Sequence, residues 1–137
     1  MSATPSSNTG DAAALRAVPE LIVAAWAEHD ADRFAETFTE DATLILPGDV
    51  YLTGREEIRS FMAQAFAGPF KGTRVTGRPI SVRPLAEGVA VVVTRGGVLA
   101  PGDTEVTAER AIRATWVLAK EGADWRIASY QNTPIAA

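Results

Sequence analysis

The sequence has no cysteine, a single histidine and no apolar run near the roughly 20 residues that a bilayer span requires. The missing cysteine removes disulfides, thiolate nucleophiles and thiolate-held metals together. One histidine, His29, excludes a histidine-rich metal centre, and no clustered acidic motif points to a carboxylate-only one. There is no basic patch either. The 13 Lys and Arg residues are scattered and the 17 Asp and Glu residues outnumber them, for a net charge of -4. That balance argues against nucleic acid or an anionic membrane as partner. A dinucleotide fingerprint of the G-x-G-x-x-G type is absent, so no nicotinamide cofactor, and indeed no cofactor, is expected. The opening MSATPSSNTG lacks the basic and apolar regions of a secretory signal. It reads as a disordered tail over residues 1–10 of a cytoplasmic protein, with one domain over 11–137.

What is present is a chain of 137 residues, long enough for a real core. Residues 11–29 read as a helix, since Leu15, Val18, Ile22, Ala25, Trp26 and His29 fall on one stripe at spacings of three and four. Asp30 or Asp32 is suited to cap a short second helix carrying Phe34 and Phe38. Residues 42–46 read as a strand stopped by Pro47-Gly48, and Tyr51 falls in the loop that follows. A third helix is expected over 55–67, ended by Gly68-Pro69. Strands are expected near 72–84, 88–99, 105–120 and 124–133, joined by glycine-containing turns. Gly96-Gly97 marks a bulge or a sharp bend within one of them. Helices followed by a run of strands read as an α+β fold, with three helices packed on a strongly curved, mostly antiparallel sheet and a pocket between the layers.

The segment DADRFAETFTEDATL (30–44), then GREEI (54–58), then the closing WRIASYQNT (125–133) resembles the nuclear transport factor 2-like superfamily. The resemblance covers residues 11–134 and implies a cone-shaped α+β barrel, usually dimeric, with an internal pocket. Such folds host isomerases, cyclases, dehydratases and binders, so function has to be argued from the site. The ketosteroid isomerase branch carries an Asp base before the strand-ending proline and a Tyr in the first helix. The matching positions here are Leu46 and Ile22, both apolar, so enolisation of that type is not expected. The lone His29 does not supply the His and Asp pattern of scytalone dehydratase-like members. The closing motif resembles SnoaL-like, polyketide-associated members, above all the small stand-alone proteins of enediyne biosynthesis. That resemblance implies an antibiotic-pathway protein taking a linear polyene or polyketide, alone or with a polyketide synthase. It would isomerise or cyclise its ligand without a cofactor, or shelter it without chemistry.

Candidate residues follow from pattern. The closing strand ends in side-chain amides, and parity with Trp125 and Ile127 turns Gln131 inward, leaving Asn132 to a strand-end role or to substrate contact. Arg110 interrupts the apolar series Val106, Ala108, Ile112, Ala114, Trp116 and Leu118. A guanidinium buried there needs a partner and would suit a carboxylate, a carbonyl or an enolate; a bulge would instead turn it to solvent. Tyr51 and His29 are the candidate acid or base. Trp26, Leu46, Phe61 and Trp116 are the candidate apolar walls, with ordinary core packing as the alternative for the aromatics.

Overall fold

A computed structural model describes the backbone of residues 5–136 and the side chains of residues 11–136. Helix α1 (Pro5–Ala27) carries the stripe read from the sequence: Leu15, Val18, Ile22, Ala25 and Trp26 are all buried. Of the expected tail, residues 1–4 lie outside the described residues, and the helix already begins at Pro5. His29 falls just beyond this helix, at a positive φ of 53°. Asp30 then caps α2 (Ala31–Glu36), its Oδ1 accepting the Arg33 backbone N–H at 3.0 Å.

Phe38 is not helical as expected; it opens strand β1 (Phe38–Leu46). The loop expected around Tyr51 is in fact strand β2 (Val50–Thr53), paired antiparallel with β1. The hairpin is made possible by consecutive left-handed residues, Gly48 at φ 88° and Asp49 at φ 63°. Helix α3 (Arg55–Ala67) follows; Glu57 in its first turn reaches back to accept the Thr53 N–H at 2.9 Å, and Gly54 at the cap position offers no side chain to the first turn.

The remaining chain is β3 (Arg74–Ala86), β4 (Val89–Leu99), β5 (Ile112–Glu121) and β6 (Asp124–Pro134). Strand order is β2-β1-β6-β5-β4-β3, with β1 and β6 parallel and every other neighbouring pair antiparallel. The two edges, β2 and β3, do not pair with each other, so this α+β cone is an open, curved sheet rather than a closed barrel. Strand β5 starts seven residues later than the expected 105, because the segment before Ile112 finds no ladder partner.

Gly96 and Gly97 mark a close approach of backbones rather than a bulge. A Cβ on Gly96 would stand 2.0 Å from the Thr76 carbonyl oxygen of β3. Helices α1, α2 and α3 cover one face of the sheet, and Leu15, Phe38, Leu44, Ile58, Met62, Val92, Leu118 and Ile127 form the fully buried centre. Among the described residues no helix is long and apolar enough to cross a membrane.

Candidate functional site

Between α1 and the sheet the core does not close completely. A cavity of about 80 Å³ remains, walled by Pro19, Ile22, Val23 and Trp26 of α1, Leu44 and Leu46 of β1, Met62 of α3 and residues of β3 to β6. Almost all of the wall is apolar. Its polar side chains are those of Thr76, Thr94, Tyr130 and Asn132, beside the indoles of Trp26 and Trp116, and no acidic, basic or imidazole side chain is among its described lining.

Tyr130 and Asn132 reach this wall because of one local irregularity. In the β5–β6 ladder Leu118 faces Ile127 but Val117 faces Ser129, so Ala128 is an extra residue in β6. Each extra residue reverses the alternation beyond it. Trp125 and Ile127 are buried before the bulge; after it Tyr130 and Asn132 line the cavity, and Gln131 is exposed. Simple parity had turned Gln131 inward, and the Ala128 bulge is why that is wrong.

The polar end of the cavity is a short chain of side chains. Trp116 stands opposite Tyr130 in the ladder, and their rings meet edge to face at 4.8 Å and 85°. The Trp116 Nε1–H donates to the buried Thr94 hydroxyl at 2.9 Å, which satisfies the indole and fixes its plane. Asn132 lies opposite Ala114, whose small side chain leaves room for an amide. Its Nδ2 donates to the Tyr130 phenol oxygen at 2.9 Å. Its Oδ1 is buried and has no hydrogen-bond partner. A lone buried acceptor costs about 1–3 kcal/mol, so it signals a group waiting for a ligand or a water. Burial pushes the Tyr130 phenol above its ordinary range, and the smaller, opposing effect is the N–H donated by Asn132. Tyr130 is therefore a neutral hydrogen-bond donor near pH 7, not a base.

Trp26 forms the other end. Its Nε1–H donates to the Thr73 hydroxyl at 2.9 Å, Thr73 in turn donates to the Phe70 carbonyl at 2.6 Å, and the Phe70 ring packs on the indole at 4.8 Å. The segment after α3 is thus tied to α1 at the cavity rim.

Of the residues singled out in the sequence, Trp26, Leu46, Trp116 and Asn132 line the cavity together. Phe61 does not: it is half-buried and packs on the core from α3, one position away from the lining Met62. Arg110 is also elsewhere. It lies in the unpaired segment before β5, its side chain is 58 % exposed, and it faces Asp103 at 3.5 Å. The alternation that placed it among apolar residues has no ladder to act on. Tyr51 is 61 % exposed on edge strand β2, paired with Ile45, and does not reach the cavity.

His29 is half-buried outside the cavity, stacked edge-on against Phe66 at 5.1 Å, with Nε2 at 3.1 Å from the Gly72 N–H and 3.2 Å from the Phe70 carbonyl. It secures the loop, not the site. Tyr130, not among the candidates from the sequence, is the polar side chain that the structure adds to the cavity wall; a β-bulge at Ala128 was the signal needed, and nothing in the composition of that strand announces it.

A family model for the SnoaL-like domain matches residues 15–136. The chain belongs to the SnoaL-like domain family. It is 30% identical to a domain of unknown function with a cystatin-like fold from Nostoc punctiforme, covering 98% of this chain and 81% of that one, with a TM-score of 0.83. At 18% identity and a TM-score of 0.81 it shares its fold with an NTF2-like protein from Novosphingobium aromaticivorans, over 96% of this chain and 86% of that one. A ketosteroid isomerase-like protein from Erwinia carotovora atroseptica has the same fold at 19% identity and a TM-score of 0.73, over 93% of this chain and 98% of that one. No curated protein matches the sequence. This SnoaL-like domain thus has the α+β architecture expected of it. The apolar Leu46 and Ile22 both lie in the cavity wall, where the ketosteroid isomerase branch would need a base and a donor.

Proposed function

We propose that this protein takes the oxygenated end of a small, largely apolar molecule, of the polyene or polyketide class, into the cavity and steers its isomerisation or cyclisation without a cofactor. The observation that carries the reading is the Tyr130–Asn132 pair: a neutral phenol and an unpartnered amide oxygen at the polar end of an otherwise apolar space. The Tyr130 O–H is placed to polarise a carbonyl in a dry environment, where such a bond is strongest. The walls hold one folded conformer of the chain.

Volume limits what enters. About 80 Å³ is room for roughly three water molecules, well below the 300 Å³ or more of a typical ligand pocket. The cavity therefore receives only one end of a polyene, and the rest of the chain stays outside it. Because no carboxylate or imidazole is in the described lining, the reaction that suits the site best is a bond reorganisation in which the protein takes no proton.

That same observation favours a second reading, in which the protein binds and shelters an oxidisable chain and does no chemistry. The outer sheet face supports a homodimer in either case. Val91 pairs with Val117 and Val89 with Ala119 on the side opposite the buried Ala90, Val92 and Leu118, an apolar row suited to a second copy or to a synthase. Sedimentation at several concentrations checks the dimer.

The functional test is to add the protein to a polyene-producing synthase mixture and follow the long-wavelength absorbance and product masses. Loss of conjugation with a new product, abolished in Tyr130→Phe but kept in Arg110→Ala, supports catalysis at this site. An unchanged product set with polyene retained on the protein leaves the sheltering reading. A mixture in which the protein causes no turnover and retains no polyene refutes both readings.

A further inference from the structure

The polar end of the cavity holds two unlike functions side by side. Tyr130 Oη accepts from Asn132 Nδ2 at 2.9 Å, which leaves its own proton to give. Asn132 Oδ1, on the same amide group, is buried and accepts from nothing. A simple ketone would use the phenol and leave the amide oxygen orphaned. A diol or an amide would satisfy both, yet both are more costly to bring into so apolar a space. A carboxylate or an amine would arrive charged, and the described lining contains no group of opposite charge to receive it.

We propose that the ligand of this cavity is a neutral hydroxy ketone: its carbonyl accepts from Tyr130, its neighbouring hydroxyl donates to Asn132 Oδ1, and Asn132 is the specificity-determining residue. The inference rests on the reading of the cavity as a ligand site and names the chemistry of the end that enters it. The two protein groups are joined through one hydrogen bond and one amide, so the two ligand oxygens must also be close, carried on adjacent carbons or on carbons one apart.

The amide could satisfy this role only as it is turned. With the carbonyl swung to Tyr130 the phenol would donate to it, the NH₂ group would face the cavity, and a ligand with two acceptors would be preferred. The two arrangements differ at a methoxy group on the same carbon: only a hydroxyl donates to the amide oxygen as it stands, whereas hydroxyl and methoxy alike accept from the turned NH₂ group.

The test uses the full chain and the fluorescence of Trp26 and Trp116, both in the cavity wall. One straight carbon skeleton is supplied as alkane, ketone, β-hydroxy ketone and β-methoxy ketone. The hydroxy ketone is expected to bind about tenfold more tightly than the ketone, the gain from one well-made hydrogen bond to a previously unsatisfied buried acceptor. The methoxy ketone is expected to bind no better than the ketone. In Asn132→Leu the hydroxyl advantage should vanish while the ketone still binds.

Equal affinity for ketone and hydroxy ketone in the natural protein overturns the inference and leaves the cavity as a ligand site. A methoxy ketone that binds as tightly as the hydroxy ketone, or more tightly, overturns it in favour of the turned amide. Failure of all four probes to bind overturns the ligand-site reading and this inference with it.

Discussion

Gly77 and Gly96 face each other across the β3–β4 ladder, and alanine at the two positions should have opposite effects. A Cβ on Gly96 would fall 2.0 Å from the Thr76 oxygen and 2.8 Å from the Gly77 Cα. Comfortable separations are about 3.5 Å, and every atom in the way is backbone, so no side chain can rotate clear. Strand β3 would have to withdraw by more than about 1 Å. Overpacking of this kind costs about 1–3 kcal/mol, and each ladder hydrogen bond lost nearby adds about 1 kcal/mol. Reduced freedom of the unfolded chain returns only about 0.4–1 kcal/mol. Gly96→Ala should therefore destabilise by about 2–4 kcal/mol.

A Cβ on Gly77 meets nothing closer than the Thr94 Oγ1 at 4.0 Å, and neither glycine has a positive φ. Gly77→Ala should be neutral or up to about 1 kcal/mol stabilising. Its methyl enters the cavity wall, so it should weaken ligand binding at no cost in stability. Urea unfolding decides the matter: with a slope of about 1–3 kcal/mol/M, Gly96→Ala should lower the midpoint by about 1–2 M at unchanged slope. A Gly96→Ala midpoint close to the natural one, or an equal fall in both variants, would refute the argument that sheet contact rather than glycine as such sets the cost.

Thr94→Val keeps the shape but leaves the Trp116 Nε1–H buried without its acceptor, and should cost about 1–3 kcal/mol in thermal unfolding. Asp30→Ala removes the α2 cap and should cost about 1 kcal/mol, whereas Arg110→Ala, a half-exposed pair at a distance from the cavity, should stay within about 0.5 kcal/mol; the two midpoints compared directly check both. The raised pKa of Tyr130 favours the protonated phenol in the folded state. Its contribution is fully present below the unfolded value near 10 and is lost as pH rises through the higher folded value, so stability should fall at alkaline pH, less steeply in Tyr130→Phe. Parallel alkaline unfolding of the two proteins is the measurement.

Local signals were strong wherever the chain's own chemistry chooses the structure. The α1 stripe from Leu15 to Trp26, the Asp30 cap and the α3 helix over 55–67 were all readable, because helix periodicity and caps act within a few residues. The sheet was readable as strands and turns but not as faces. Strand β2 was missed because four residues with no clear alternation become a strand only by pairing with β1. Phe38 was assigned to a helix because its spacing from Phe34 fits one, yet its backbone bonds to β6.

The site follows the same division. The sequence by itself determined the α+β class, the apolar walls supplied by Trp26, Leu46 and Trp116, and the absence of thiol and histidine-cluster chemistry. Tertiary structure decided which polar groups meet those walls. One extra residue at Ala128 reverses every later side chain of β6, placing Tyr130 and Asn132 inside and Gln131 outside. An unpaired segment before Ile112 leaves Arg110 in solvent. Both outcomes depend on which residues find partners across the ladder. That is a property of long-range register, and no window of the sequence contains it.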